Sequence, residues 1–440
     1  MSRRKQERLI QIMLVIATLV MTILRFLLNE KGRVSPDSIR FMRTSEVFPV
    51  IDNTTTPLGY PLSLKFFTLF GLDEFWASKI LGILALLFII IFAAKKKFYF
   101  KETVIVSALF SFVSIFSFTM SEALMLPFVF VFFYIARQII IDQLRGFTAV
   151  FLLSLLLIAL FNIRYPALFF MGATFLFGLL NFKKHYAKTF MISGVVGMVF
   201  IVLYKFLFID YFNETYVDTF LNIGLHSTSK LITEFFQGIF TTFNPFIHIA
   251  NPAGGMINYG IYGIGFLNVA LIVFIFLKSG LSETEKFLVF TGIFGIICSF
   301  FIQYFYSVNA LDYRLLAPFS FPIWLVFFKK IRLFIGRFTY AFAVLSLFTG
   351  LVFTFLSRGN YLENRKVMTG FLEEENLKNV PLKFFIESEK ELDKTQIAEL
   401  ISTVNPNVHI TFQPKDTLQK TTLTQYKVLR KIKIDTNRFQ

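Results

Sequence analysis

The chain has 440 residues and a net charge of +16; 55% of its residues are hydrophobic, only 16% are charged, and its mean hydropathy is +0.64. Recurring apolar runs of about 20 residues exclude a soluble globular protein and predict a polytopic membrane protein. The basic residues sit in short clusters between those runs rather than on one soluble face, which marks membrane topology and argues against nucleic acid as a partner.

Other features narrow the field. A single cysteine, Cys298, excludes a disulfide framework or a zinc site within one chain. No stretch matches a phosphate-binding P-loop, so the chain carries no nucleotide motor of its own. The 62 phenylalanines are the strongest compositional bias and point to no function.

In chain order, a basic N-terminus (Met1 to Arg8) precedes a first apolar span, Leu9 to Leu28, read as a retained helix because it is long and lacks a small-residue cleavage site. Further spans are predicted at Trp76–Ala94, Thr103–Phe118, Ala123–Ala136, Phe147–Phe161, Ala167–Leu180, Phe190–Phe208, Tyr259–Leu277, Phe287–Tyr306, Leu315–Phe328 and Phe338–Leu356. That makes about eleven helices, with a long outer loop from about Asp210 to Ile257. The inner segments hold nineteen Lys and Arg and the longer outer loops eight, so the N-terminus is expected in the cytoplasm and the C-terminus outside.

From Ser357 the composition becomes that of a soluble chain. Val380–Glu387, Val408–Phe412 and Tyr426–Ile434 read as strands, and Thr395–Val404 as a helix. The expected organisation is therefore a transmembrane domain over 1–356 and a small extracytoplasmic α/β domain over 357–440.

The chemistry is expected at the outer face. Every inner loop is short, whereas Arg25, Asp37, Glu122, Arg164, Lys205, Asp210, Asp312 and Arg314 all fall near the outer rim. Charges at a membrane are costly, so their convergence on one face marks a site. Asp37, in Pro36-Asp37-Ser38, is the sharpest candidate: it reads either as a proton acceptor for an attacking hydroxyl or as a helix N-cap. Arg164, before Tyr165-Pro166, and Arg314 are forks suited to phosphate, or else cations snorkelling to the interface. Lys205 is a weaker cation of the same kind. Glu122 reads as an orienting or capping group. His226 and His248 in the long loop read as packing rather than as metal ligands. The patterns Asn53-Thr54-Thr55 and Asn213-Glu214-Thr215 fit glycosylation acceptors.

Taken in order, Pro36-Asp37-Ser38-Ile39-Arg40-Phe41, Pro57-Leu58-Gly59-Tyr60-Pro61-Leu62, Ser121-Glu122, Arg164-Tyr165 and Tyr313-Arg314-Leu315-Leu316 with Pro318 resemble the GT-C superfamily of membrane glycosyltransferases, the protein O-mannosyltransferase and aminoarabinose transferase types among them. The resemblance runs from Leu9 to about Phe328. The chain departs from the pattern in having Ser38 for a second acid, Phe41 for tyrosine and Leu58 for proline.

The resemblance implies an all-α, GT-C-like membrane fold. It also implies inverting transfer of a sugar from a polyprenyl-phosphate donor to a glycan, lipid or protein acceptor at the outer face of a bacterial plasma membrane. Asp37 would be the general base. Arg164, Arg314 and Lys205 would hold the lipid phosphate, with Glu122, Tyr60, Tyr165 and Asp312 in support. No cofactor or metal site is expected, and a divalent metal stays open. The alternatives are an O-antigen-type polymerase or ligase and a lipid or sugar transporter without transferase activity. The first is disfavoured by a large loop whose only cation is Lys230, and the second by the lack of symmetric halves.

Overall fold

The computed structural model describes residues 3–52, 54, 56–212, 228–249, 254–306, 311–388 and 395–430. Its first helix, α1 (Arg3–Leu28), is followed by two short helices that make the first loop, α2 (Pro36–Val47) and α3 (Gly59–Thr68). The next, α4 (Glu74–Lys96), starts at Asp73, whose Oδ1 accepts the Trp76 N–H at 2.8 Å, and stops at Lys97 in the left-handed region (φ 50°).

The stretch Thr103–Phe118 differs from expectation. It is not one helix but two, α5 (Phe100–Ser107) and α6 (Phe110–Phe116), broken where Leu109 turns extended (φ −63°, ψ 137°). The break is tolerated because the segment is enclosed by other helices, where a freed amide can find a partner: the Phe110 N–H donates to Ser346 Oγ at 2.7 Å.

The bundle continues through α7 (Ser121–Ile140), α8 (Gly146–Ile163), α9 (Leu168–Leu180), α10 (Ala187–Tyr204, carried on by a π turn), α11 (Thr228–Thr242), α12 (Met256–Ser279), α13 (Glu283–Phe305), α14 (Tyr313–Ile335) and α15 (Tyr340–Leu356). Among the described residues, eight helical segments are long and apolar enough to cross a membrane, and one of these, Tyr313–Leu356, holds both α14 and α15. The shorter Tyr165–Leu180 and the α5–α6 pair complete the eleven apolar passes expected. The protein is therefore an all-α integral membrane protein with a small α/β part at its C-terminal end.

A second correction concerns the long loop. It contains the helix α11, whose buried Leu231, Gly238, Thr241 and Thr242 recur at helical spacing. Gly238 permits its docking, because a methyl group there would strike the Leu311 carbonyl just before α14.

After α15 come α16 (Tyr361–Glu374), β1 (Leu382–Phe385), α17 (Thr395–Ser402), β2 (Val408–Thr411), β3 (Thr422–Leu423) and α18 (Gln425–Leu429). The three strands form a parallel sheet in the order β2-β1-β3, with Leu382 opposite Val408 and Lys383 opposite Thr422. The strand expected over Tyr426–Ile434 begins as helix α18, and its remainder lies outside the described residues, as do His226, Asn213 and Asn53.

One apolar cluster, rich in phenylalanine, runs through the bundle. A second joins Ile39, Phe41 and Met42 of α2 and Tyr60 and Leu64 of α3 to Tyr361, Met368, Phe384, Ile397 and Val428. The C-terminal part thus shares its core with the first loop, which fixes it over one end of the bundle. The opposite end carries compact ion pairs: Glu7 meets Lys101 and Arg332, each at 2.9 Å, and Glu285 meets Lys329 at 2.6 Å and Lys330 at 2.8 Å.

Candidate active site

Two motifs bring the first loop and the α8 corner together. A side chain at Gly59 would collide with the Asn162 carbonyl, so only glycine lets α3 approach the end of α8 this closely. The Tyr165 hydroxyl then donates to the Thr54 carbonyl at 2.8 Å. Tyr60 is buried beneath α2, edge-on to Phe41 at 5.0 Å.

Arg164, Arg314 and Glu122 meet there. Glu122 is fully buried in the first turn of α7, where the helix dipole favours an acid. One of its oxygens pairs with Arg164 Nη1 and lies 3.6 Å from Arg314 Nε. A single carboxylate therefore holds two guanidinium groups. Asp312 caps α14, its Oδ1 accepting the Leu315 N–H at 2.8 Å, and its other oxygen stands 3.7 Å from Arg314. The Asp312 side chain is 41% accessible yet lies in a recess, and burial pushes its carboxyl up while Arg314 pulls it back.

Asp37 is the second residue of α2 but does not cap it. The Ser38 Oγ accepts the Ser35 N–H at 3.0 Å and donates to the Thr119 carbonyl at 2.7 Å, so serines close that helix end. The half-exposed Asp37 carboxylate is left with a loose pair to Arg40 at 4.0 Å and lies within electrostatic reach of Arg314. Lys205 stands apart, its Nζ on Asp210 at 2.6 Å.

A cavity of about 510 Å³ opens beside this group. Asp312, Tyr313 and Arg314 line it from the start of α14, Asn29, Lys31 and Arg33 to Pro36 from the first loop, Glu234, Gln237 and Thr241 from α11, and Gln396 and Glu399 from α17. Pro36 brings α2, and with it the neighbouring Asp37, to its edge.

Sequence reasoning placed Arg25 at the outer rim without giving it a role, and it passed over Arg33 and Lys79. Arg25, Arg33 and Lys79 are 1%, 4% and 1% exposed, and no carboxylate among the described residues pairs with any of them. Aromatic faces take part of the load: Arg25 lies over Phe110 at 4.9 Å, Arg33 over Phe118 at 4.4 Å and Lys79 over Phe75 at 4.8 Å. Lys79 donates to the Arg33 and Ser117 carbonyls, each at 3.1 Å, and to Thr119 Oγ1 at 2.9 Å. Arg25 donates to Ser357 Oγ at 2.8 Å. These contacts satisfy hydrogens without neutralising charge. Arg33 reaches the cavity, and its Nε is buried without a hydrogen-bond partner. Burial draws the Arg33 pKa down, because its charge has been taken out of water.

His248 packs between Phe110, at 4.4 Å, and Tyr313, at 3.9 Å, in line with the packing role expected of it. Burial, with Arg25 and Arg33 nearby, holds its pKa well below the usual value and keeps the ring neutral. No group of three or more His, Cys, Asp or Glu residues comes together among the described residues.

No protein-family model and no curated protein matches the sequence. Solved structures similar to this chain include the oligosaccharyltransferase of Archaeoglobus fulgidus tethered with an acceptor peptide containing the NVT sequon, at 12% identity and a TM-score of 0.45, covering 94% of this chain and 64% of that one. Another is AglB from the same organism in complex with an inhibitory peptide and a dolichol-phosphate, at 12% identity and 0.46, covering 92% and 64%. A third is ArnT from Cupriavidus metallidurans bound to undecaprenyl phosphate, at 10% identity and 0.41, covering 94% and 90%. The chain thus spans 64% of the length of the archaeal chains it matches. These neighbours are GT-C glycosyltransferases, the superfamily the motifs resemble. With TM-scores below 0.5, the functional reading rests on the geometry of the site itself.

Proposed function

We propose that this chain is a GT-C-type membrane glycosyltransferase. It takes a sugar from a polyprenyl-phosphate donor and passes it, with inversion, to an acceptor in the cavity beneath the C-terminal part. The N-terminus is cytoplasmic and the cavity faces the other side of a bacterial plasma membrane, as the distribution of basic residues supports.

The carrying observation is the set of buried cations that no carboxylate among the described residues pairs with. At the opposite end of the bundle Glu7 and Glu285 each meet two cations, whereas no described carboxylate meets Arg25, Arg33 or Lys79. An arginine cannot shed its charge, and an uncompensated buried cation costs several kcal/mol, on the order expected for one ion taken out of water. A lipid phosphate in the cavity supplies the missing charge. It also becomes the leaving group once the sugar–oxygen bond breaks, and the same cations then stabilise it. In this reading Arg33 and Arg314 contact the phosphate, Arg25 and Lys79 add their field from behind, and Glu122 holds Arg314 and Arg164 in place. Lys205, occupied by Asp210, is left out of the phosphate set.

Asp37 accepts the proton of the attacking acceptor group. Its carboxylate is free of capping duty and lies within electrostatic reach of Arg314. The test is sugar transfer from a panel of undecaprenyl-phosphate sugars in reconstituted membranes. Asp37→Asn should lower turnover by about 100-fold or more, the usual weight of a general base. Its melting temperature should stay that of the wild type, because the side chain makes no hydrogen bond the fold depends on. Full turnover in the Asn protein would remove the base.

A further inference from the structure

The wall of the cavity that belongs to α17 has no part in the scheme above, and it is chemically distinct. Gln396 and Glu399 are 7% and 3% exposed, and both line the cavity. Gln396 Oε1 and Glu399 Oε2 are buried without a hydrogen-bond partner, while the other Glu399 oxygen accepts from Thr395 Oγ1 at 3.4 Å. Buried polar atoms are almost always satisfied, so two orphaned oxygens on successive turns of one helix point to a ligand that donates to both. Behind them a recess of about 10 Å³ has room for one water at most, so the main cavity is where a larger partner reaches them.

The ligand must bring hydrogen-bond donors, and two kinds of group do so, ammonium and hydroxyl. The surroundings choose between them. Three cations, Lys31, Arg33 and Arg314, and three acids, Glu234, Asp312 and Glu399, line the same cavity, so its lining carries no excess of either sign, and Lys31 already lies within electrostatic reach of Glu399. A cationic ligand would compete with Lys31 there, whereas a neutral polyol would not. Aromatic faces on the cavity wall, Phe118, Tyr262 and Tyr313, suit the apolar face of a sugar ring.

We infer that Gln396 and Glu399 form the acceptor subsite, and that the acceptor it takes is a saccharide, held through its hydroxyl groups. This rests on the transferase reading above and names the acceptor class. The Glu399 carboxyl, pushed up to about 7 by burial, is compatible with it: near neutrality both a donating and an accepting form are populated, and a hydroxyl can pair with either. A site built to hydrogen-bond hydroxyls also rejects analogues lacking them, because its own oxygens are then left buried and unpaired.

The experiment measures binding and so stands apart from turnover. The full chain is placed in lipid nanodiscs, which avoids sugar-headed detergents. Saturation-transfer NMR is recorded with glucose, galactose, mannose and N-acetylglucosamine, with cyclohexanol as the hydroxyl-poor control and glucosamine as the cationic one. Undecaprenyl phosphate is present throughout. At least one neutral sugar should bind to the wild type, and Gln396→Ala and Glu399→Ala should each weaken it by about tenfold, the value of one lost hydrogen bond to a buried group. Glu399→Gln, which keeps an accepting oxygen, should lose less. Unchanged binding of undecaprenyl phosphate shows that each variant is folded and that its cation site is intact. Sugar binding that is absent from the wild type or unaffected by all three substitutions would overturn the inference, and so would a preference for glucosamine that depends on Glu399. If the sugar binds as expected but no donor is ever turned over, the transferase reading fails and the saccharide site stands.

Discussion

Two buried carboxyl groups at this end of the molecule have opposite fates. Glu122 lies between two arginines, and its worth is chiefly that it prevents Arg164 and Arg314 from being buried unpaired. Glu122→Gln should therefore cost about 3–5 kcal/mol, the usual penalty for stranding a buried partner. A melting temperature within about 1 °C of the wild type would show that the pairings carry no weight. Glu399 has no cation in contact, and burial raises its carboxyl from the ordinary 4.5 to about 7. The folded chain thus holds this proton more tightly than the unfolded chain does. The resulting stability is fully present below pH 4.5 and is lost as pH rises through about 7, on the order of 3 kcal/mol across that window. Glu399→Gln carries no such proton, so its melting temperature should fall less than that of the wild type between pH 5 and pH 8. Parallel pH profiles for the two proteins would show that Glu399 titrates as an ordinary surface acid.

At the scale of elements, the site depends on how closely α3 approaches the end of α8. The Gly59 position has no room for a side chain against the Asn162 carbonyl, and the Tyr165–Thr54 hydrogen bond lies alongside. Gly59→Val should push the two helices apart and cost about 1–3 kcal/mol, as overpacking does elsewhere. An unchanged melting temperature would mean that the two elements are not seated on one another. The apolar runs made most spans legible, because eighteen or more apolar residues leave few alternatives to a spanning helix. The same rule hid the break between α5 and α6, since nothing in Thr103–Phe118 announces that Ser346, far along the chain, will satisfy the Phe110 amide. Asp37 read from its spacing as cap or base, with the resemblance favouring the base, and only the Ser35–Ser38 pair decides that it does not cap. Lys79 did carry a signal, a lone lysine among Ala77, Ser78, Ile80 and Leu81, but near the start of a spanning helix a lysine that snorkels to the interface is ordinary. Gln396 and Glu399 had none, because a polar residue on a short helix is ordinary until a cavity opens beside it.

For the whole molecule the question is whether the C-terminal part is an appendage. Its Leu382, Phe384, Ile397, Leu400 and Val408 pack in the same cluster as Ile39, Phe41 and Met42 of α2 and Tyr60 and Leu64 of α3. Arg43 of α2 donates to Asn407 Oδ1 at 2.6 Å, and Arg365 of α16 pairs with Asp73 at the start of α4. Removing everything after Leu356 would therefore expose the apolar underside of the first loop to water, at roughly 1.5–3 kcal/mol for each large side chain uncovered. That sum exceeds what two helices of 12 and 10 residues can recover by themselves. The truncated chain should still insert, because the cluster that runs through α4, α7 and α14 makes no use of the lost residues. It should lose order at α2 and α3 alone. Cysteines placed at Met42 and Leu64, both at 0% exposure in the intact chain, should then react with a water-soluble maleimide. One placed at Trp324, equally buried within the bundle, should stay protected. If Met42 and Leu64 stayed protected after truncation, the first loop would be ordered by the bundle alone, and the acceptor wall would be a lid on a preformed site.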